Sequence, residues 1–454
     1  MAEENLLVDK FSGFVYKICK AVTYFISVEL QGLLWMYRCP KYTFGHLFVY
    51  KNLRGMNMSV IVQKYGGSSV STTEKIKLIA QKIIERKEID SKIVVVVSAM
   101  GDTTDDYIKL ANNITESPDK RELDVLMSTG EMISASLLSM ALNARNCESV
   151  SYSAYQLDIS TSGNHGKSQI DDIDVNRIEK SLDEGKVVIV TGFQGVNDDG
   201  DITTLGRGGS DTSAVALAVK LNGTCEIYTD VDGIYSTDPR KYTQARKLNE
   251  IEYEEMLELA SLGAQVMHSR SIELAQKYGV EIYVGLSCSD TKGTYIRGGN
   301  DMKLEERVIT GLATSDDDIS ITIKDFENNK IASLFEDIAM GGISIDMISQ
   351  TAPVGNKISV SFTAPKEDIK ECKKIATTYA NEENIVIDEN ITKFSLVGLG
   401  MKNTHGVASK VFNIFNENNI AIKLITTSEI RITCAINSDD KDLAINEVAK
   451  AFNL

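Results

Sequence analysis

At 454 residues, with 43% hydrophobic and 25% charged side chains, the chain is long enough for two or three domains and has the make-up of a folded protein. Its net charge of -16 argues against a general basic surface, so no nucleic-acid partner is expected and nucleotide chemistry needs a locally built positive field. Seven cysteines without a Cys-x-x-Cys pair and four histidines without metal-ligand spacing argue against a disulfide framework and a zinc centre, and reduced thiols point to the cytoplasm.

Residues 1–58 differ from the rest. They hold the single tryptophan, Trp35, and an apolar run over 21–37 that contains Glu29 and Gln31. For a signal peptide the run starts too late and lacks a small-residue cleavage site; for a membrane span it is short and charged. We therefore expect an upstream extension, with native synthesis starting near Met58, and no membrane partner.

From residue 59 the pattern sharpens. A strand over 60–64 leads into the glycine turn Tyr65-Gly66-Gly67-Ser68-Ser69, and 73–87 places Ile76, Ile79, Ala80, Ile83 and Ile84 on one helical face. Residues 93–98 form a β-branched run of the kind buried on both faces of a sheet. A helix over 123–143 and a strand over 187–191 follow. The stretch Leu205-Gly206-Arg207-Gly208-Gly209-Ser210-Asp211 then enters a helix over 213–222, with Ser210 and Asp211 as N-cap types, before a strand over 226–229. Alternating strands and helices predict an α/β, three-layer α-β-α sandwich on a mainly parallel sheet, with ligands at the carboxyl ends of the strands. By itself the 205–211 stretch reads as a tight glycine turn. Its company at the strand ends, with Lys64, Gly66, Gly67, Ser98 and Asp230, makes it a candidate anion site. Gly163-Asn164-His165-Gly166-Lys167-Ser168 is a decoy, since a Walker loop needs glycine where Thr161 stands.

A polar stretch over 300–307 reads as a linker that ends a catalytic domain of 59–300. Beyond it, 342–350 aligns with 419–427, Ile343 falling on Ile420. Each copy follows an amphipathic helix (330–340 and 406–418) and precedes a β-type run (357–363 and 429–437). The repeat predicts two small α+β modules, 308–385 and 391–454, packed on each other.

Four motifs in order carry a resemblance. Lys64-Tyr65-Gly66-Gly67-Ser68-Ser69-Val70, Ser128-Thr129-Gly130-Glu131, the 205–211 loop and Thr229-Asp230-Val231-Asp232-Gly233-Ile234-Tyr235, followed by the tandem modules, strongly resemble aspartokinase from about residue 59 onward. The resemblance implies the amino-acid-kinase fold with two ACT modules. It implies phosphoryl transfer from ATP, with magnesium on the phosphates, to the side-chain carboxylate of L-aspartate, the entry to lysine, threonine and methionine synthesis. An attacking carboxylate is already ionised at pH 7, so such an enzyme needs charge neutralisation rather than a strong base. The resemblance makes Lys64 the cation between carboxylate and γ-phosphate, with Asp211 orienting it. Gly66 and Gly67 become backbone donors to the phosphates, Glu131 the ammonium partner and Arg207 the bidentate carboxylate clamp. Ser98, Thr104 and Ser210 match positions that hydrogen-bond the substrate, and Phe193 lines the pocket. Thr229, Asp230, Tyr235, Arg240, Gln265 and Val266 fall on the ATP side, with no protein metal cluster expected.

The chain also departs from the family, which usually has lysine where Gln265 stands and proline where Ser269 stands. The lost contact predicts ATP affinity about tenfold weaker, from roughly 1–2 kcal/mol. His268 reads as structural, satisfied by a backbone partner. ACT modules imply a homodimer or dimer of dimers inhibited by lysine and/or threonine. Asp346, with Met347 beside it, matches the effector-ammonium position, and the equivalent Lys423 of the second copy cannot do this. Two rivals stay open: an acyl-phosphate-forming kinase of the same fold acting on glutamate or acetylglutamate, against which stand the tandem modules, and a silent amino-acid sensor, against which stand Lys64, Glu131, Arg207 and Asp211.

Overall fold

The computed structural model describes residues 60–89, 92–263, 266–299 and 307–454. The expected extension over 1–58, most of the 300–307 linker and the departure at Gln265 lie outside the described residues.

Eight strands form the central sheet, in the order Glu250–Glu252, Thr294–Arg297, Ile282–Leu286, Thr224–Thr229, Ile61–Tyr65, Ile93–Val97, Val187–Thr191 and Ser149–Tyr152. Ile282–Leu286 and Thr294–Arg297 pair antiparallel, and the other pairings are parallel. Ile93–Val97 is buried at every residue. Its side chains divide by the period of a strand. Val94 and Val96 join one core with Val62, Val188 and Leu217, while Ile93, Val95 and Val97 join another with Ile79, Ile83 and Leu138. Helices Thr73–Ile89 and Lys120–Asn143 cover the second face, and Gly209–Lys220 covers the first. Among the described helices, Lys120–Asn143 alone is long and apolar enough to cross a bilayer, but it is a core helix with Asp124 and Glu131 buried on it.

A second, four-stranded sheet, absent from the sequence reading, comprises Gln169–Ile173, Ile159–Ser162, Gln194–Val196 and Ile202–Thr204 in that order. It delivers the chain to the 205–211 loop.

The C-terminal part holds two more four-stranded sheets. One orders Ile348–Gln350, Lys357–Pro365, Asp318–Glu327 and Ile385–Asp388, backed by helices Ile331–Met340 and Ile369–Tyr379. The other orders Gly311–Ser315, Ile391–Val397, Arg431–Asn437 and Ile422–Thr427, backed by Val407–Glu417 and Lys441–Phe452. The 308–385 boundary assigned Gly311–Ser315 to the first module. Its hydrogen bonds instead join Ile391–Val397, Leu312 facing Leu396, so the first module is nested between the first strand of the second and its remainder. The repeated pattern starts at the helix of each copy and therefore carried no information on where a preceding strand pairs.

Candidate active site

Lys64, near the end of its strand, points Nζ at Asp211 Oδ1 across 2.5 Å, and each side chain is 11% exposed. Two opposite charges this deeply placed compensate one another's desolvation. Asp211 is not the helix cap that its residue type predicted, nor is Ser210. The helix begins four residues earlier, at Gly209, with Gly208 as cap at φ 68°. Thr212 and Ser213 bond their hydroxyls back to the Gly208 and Gly209 carbonyls, leaving the first-turn Asp211 to face Lys64.

Gly66 corrects a second expectation. Its N–H donates to the Tyr228 carbonyl at 3.2 Å, tying the turn to the nucleotide-side strand, so it is not free for a phosphate. Gly67 is required for closeness: a Cβ there would lie 2.9 Å from the Gly101 carbonyl oxygen.

Glu131 reaches the same end of the sheet because Gly130 lets its helix approach, a Cβ at 130 standing 2.7 Å from Ala99 Cβ. Glu131 Oε1 accepts from Ala99 N–H at 3.0 Å, whereas the buried Oε2 has no hydrogen-bond partner among the described residues. Burial pushes the Glu131 carboxyl up to about 7, against the pull of the Ala99 N–H. A buried, half-satisfied carboxylate is a receptor for a cationic donor. Ser98 ends the neighbouring strand, bonding Tyr65 O through its N–H, and Thr104 lies in the first turn of helix Thr103–Ile114.

Phe193 is held at φ 70°, unusual for a bulky residue, with its N–H on Ser213 Oγ and its ring against Gly209. Gly192 has no room for a side chain because Ser210 lies 2.9 Å from where its Cβ would be. Arg207 sits between two left-handed glycines, Gly206 at 77° and Gly208 at 68°, and its exposed side chain has no hydrogen-bond or ion-pair partner among the described residues. It is a cation held at the mouth of helix Gly209–Lys220.

On the nucleotide side Thr229 Oγ1 bonds Asp230 at 2.9 Å. Tyr235 OH donates to Asp232, which also holds Lys247 Nζ at 3.0 Å. Lys247 was missed by the motif reading. Arg240, 88% exposed, pairs its guanidinium with Asp238. Val266 is half-buried. His268 caps helix Ser269–Tyr278 by accepting from Arg270 N–H, the structural role expected of it. Its ring also packs against Gly208.

In the regulatory part Asp346 Oδ2 lies 2.6 Å from Lys393 Nζ, and Met347 is buried. Lys423 pairs with Asp388 at 2.6 Å. The two equivalent positions therefore both cross between modules, Asp346 onto the second and Lys423 onto the first.

The model of the amino acid kinase family matches residues 59–285, and that of the ACT domain matches 394–452. Fold and site together define an amino acid kinase carrying a regulatory ACT part. The chain is 42% identical over 401 residues to the aspartokinase of Geobacillus stearothermophilus, covering 87% of this chain and 98% of that one. It is 41% identical over 403 residues to aspartokinase 2 of Bacillus subtilis, with the same coverage. The fold matches that of E. coli aspartokinase III in complex with aspartate and ADP, at TM-score 0.74 and 23% identity over 86% of this chain and 99% of that one. This chain belongs to the aspartokinase family.

Proposed function

We propose that the groups around Lys64 carry out this chain's reaction, ATP-dependent phosphorylation of the side-chain carboxylate of L-aspartate to 4-phospho-L-aspartate. The carrying observations are the buried Lys64–Asp211 pair and the buried Glu131 oxygen that has no hydrogen-bond partner among the described residues. Glu131 takes the substrate ammonium and Arg207 clamps its α-carboxylate, which leaves the side-chain carboxylate directed toward Lys64. A carboxylate oxygen attacks the γ-phosphorus as the bond to the ADP oxygen breaks, and no proton needs to move. Lys64, held by Asp211, offsets the charge brought together there, and the N-terminus of Gly209–Lys220 adds its dipole. Gly67 N–H, Thr229, Asp230 and Tyr235 face the nucleotide; magnesium arrives on the ATP phosphates as part of the substrate.

The ACT part supports feedback inhibition by lysine or threonine, with the modules pairing copies of the chain into a homodimer or dimer of dimers. A crystal structure of E. coli aspartokinase III contains lysine and aspartate in what is termed the T-state. Buried free thiols at Cys147, Cys225, Cys372 and Cys434 support a reducing, cytoplasmic setting.

A hydroxamate assay with ATP and magnesium tests the reading. Aspartyl hydroxamate should form with L-aspartate and not with L-glutamate or acetylglutamate; its absence would overturn the assignment. Addition of lysine, threonine or both identifies the effector.

A further inference from the structure

We infer that Arg270 is a positioning residue for the substrate's α-carboxylate, acting through the loop that carries Arg207. This rests on the reading of Arg207 as the carboxylate clamp. Among the described residues the Arg207 side chain has no hydrogen-bond or ion-pair partner to aim it, so its direction is set by the peptides on either side. Both neighbours are left-handed glycines, which by themselves tolerate many conformations.

The structure removes that freedom from outside. Arg270 Nη1 donates to the Leu205 carbonyl at 2.7 Å, and Nη2 donates to the Ser168 carbonyl at 3.1 Å. The Leu205 carbonyl belongs to the same peptide unit as the Gly206 N–H, so this bond fixes the peptide plane that enters Gly206, one residue ahead of Arg207. Ser168 closes the Gly163–Ser168 turn, the stretch set aside as a Walker decoy. That turn abuts Gly206, where a Cβ would lie 2.9 Å from the Gly166 carbonyl oxygen. One guanidinium thus clips both loops together through its planar fork, a geometry an ammonium reproduces poorly.

The opposite side of the same frame is held by Asp124. This fully buried carboxylate accepts from Gly166 N–H at 3.0 Å, Thr204 N–H at 3.1 Å, Thr204 Oγ1 at 2.5 Å and His165 Nδ1 at 2.9 Å. The loop is therefore anchored at Thr204 by an anion and at Leu205 by a cation. Arg270 occupies the first turn of its helix, where the dipole disfavours a positive charge. Its two carbonyl partners account for that placement.

The test compares Arg270→Gln, Arg270→Lys, Arg207→Lys and the double variant Arg207→Lys/Arg270→Gln, each checked for a native melting transition. Arg270→Gln should raise KM for aspartate about tenfold while kcat and KM for ATP stay within about twofold, and Arg270→Lys should recover part of the loss. If Arg270 acts through Arg207, the double variant should resemble Arg207→Lys alone. Equal changes for both substrates, no change, or additive losses in the double variant would overturn the inference. An aspartate-specific effect of Arg207→Lys with a silent Arg270→Gln leaves the clamp standing and removes only the positioning role. Absence of an aspartate-specific effect in Arg207→Lys removes both.

Discussion

Lys393 Nζ lies 2.6 Å from Asp346 Oδ2 and 2.8 Å from Asp318 Oδ2, so the carboxylate matched to an effector ammonium already faces an ammonium from within the chain. An effector arriving at Asp346 has to displace or share with Lys393. Lys393→Met should therefore lower the half-inhibiting concentration of the effector severalfold. It should also lower the melting temperature, because the buried Asp318 and the part-exposed Asp346 lose their shared counter-ion. Unchanged inhibition in the folded variant would place the effector elsewhere.

The same pair sets an acid limit. Burial raises the Asp346 carboxyl, but the Lys393 charge and the hydrogen bonds from Lys393 and Thr363 outweigh it, leaving the group below its ordinary value. A depressed carboxyl contributes stability above the unfolded value, about 4, and loses it as pH falls through the lower folded value. The module junction should thus hold between pH 5 and 7 and loosen below about pH 4. Asp346→Asn should flatten that part of a melting-temperature profile.

Lys64 is expected to act on the reacting groups rather than on substrate affinity. Lys64→Met should lower kcat by about 10²–10³-fold, the usual loss for one preorganised electrostatic group, with a smaller change in KM for aspartate. Steady-state kinetics on a variant with a native melting transition decides it; a loss confined to KM would make Lys64 a binding group.

Much of this is legible in the sequence. The valine run over Ile93–Val97 announced a strand covered on both faces, and the glycine turns marked the strand ends that carry Lys64 and the 205–211 loop, whereas Glu131 was found only through the resemblance. Long-range pairing was not legible. Gly311–Ser315 is five residues whose partner strand begins at Ile391, and nothing local encodes that choice. Capping was misread at Ser210 and Asp211 because both are good cap types, whereas a tertiary partner, Lys64, claimed Asp211. Asp124 and Arg270 escaped notice because their partners lie on loops distant in sequence, backbone carbonyls for Arg270 and a mixture of N–H groups and side chains for Asp124. A charged residue among the apolar positions of helix Lys120–Asn143 was the one available signal for Asp124.

Glu131 predicts a trade between stability and binding. Its carboxyl is raised from 4.5 to about 7 by burial, so the fold bears an ionisation cost above about pH 7 that disappears as pH falls toward 4.5. The shift corresponds to roughly 3 kcal/mol. Glu131→Gln should melt higher than the parent at pH 8 and indistinguishably at pH 4.5, while losing aspartate binding. In the parent, kcat/KM for aspartate should fall about tenfold per pH unit below pH 7, as the receptor for the ammonium is protonated. A flat profile between pH 6 and 8 would remove Glu131 from that role.

Helix Tyr253–Ser261 presents Glu255, which accepts from Thr310 Oγ1 at 2.5 Å and Leu399 N–H at 3.0 Å, and Glu258, which pairs with Arg431 at 2.9 Å. Arg431 also helps lower the Asp346 carboxyl, so it feels both the effector position and this helix. Beyond the helix, Gly263 abuts the Thr314 carbonyl of strand Gly311–Ser315, and His268 packs on Gly208 beside Arg207. Strand Gly311–Ser315 thus meets Gly263, and His268, five residues on, meets the 205–211 loop, contacts at either end of a route for coupling. With side chains 23% and 24% exposed, the Arg431–Glu258 pair is worth about 1 kcal/mol, too little to unfold the protein. Glu258→Gln should leave uninhibited kcat within about twofold and shift the inhibition midpoint severalfold toward weaker inhibition. An unchanged inhibition curve would show that the coupling bypasses this helix.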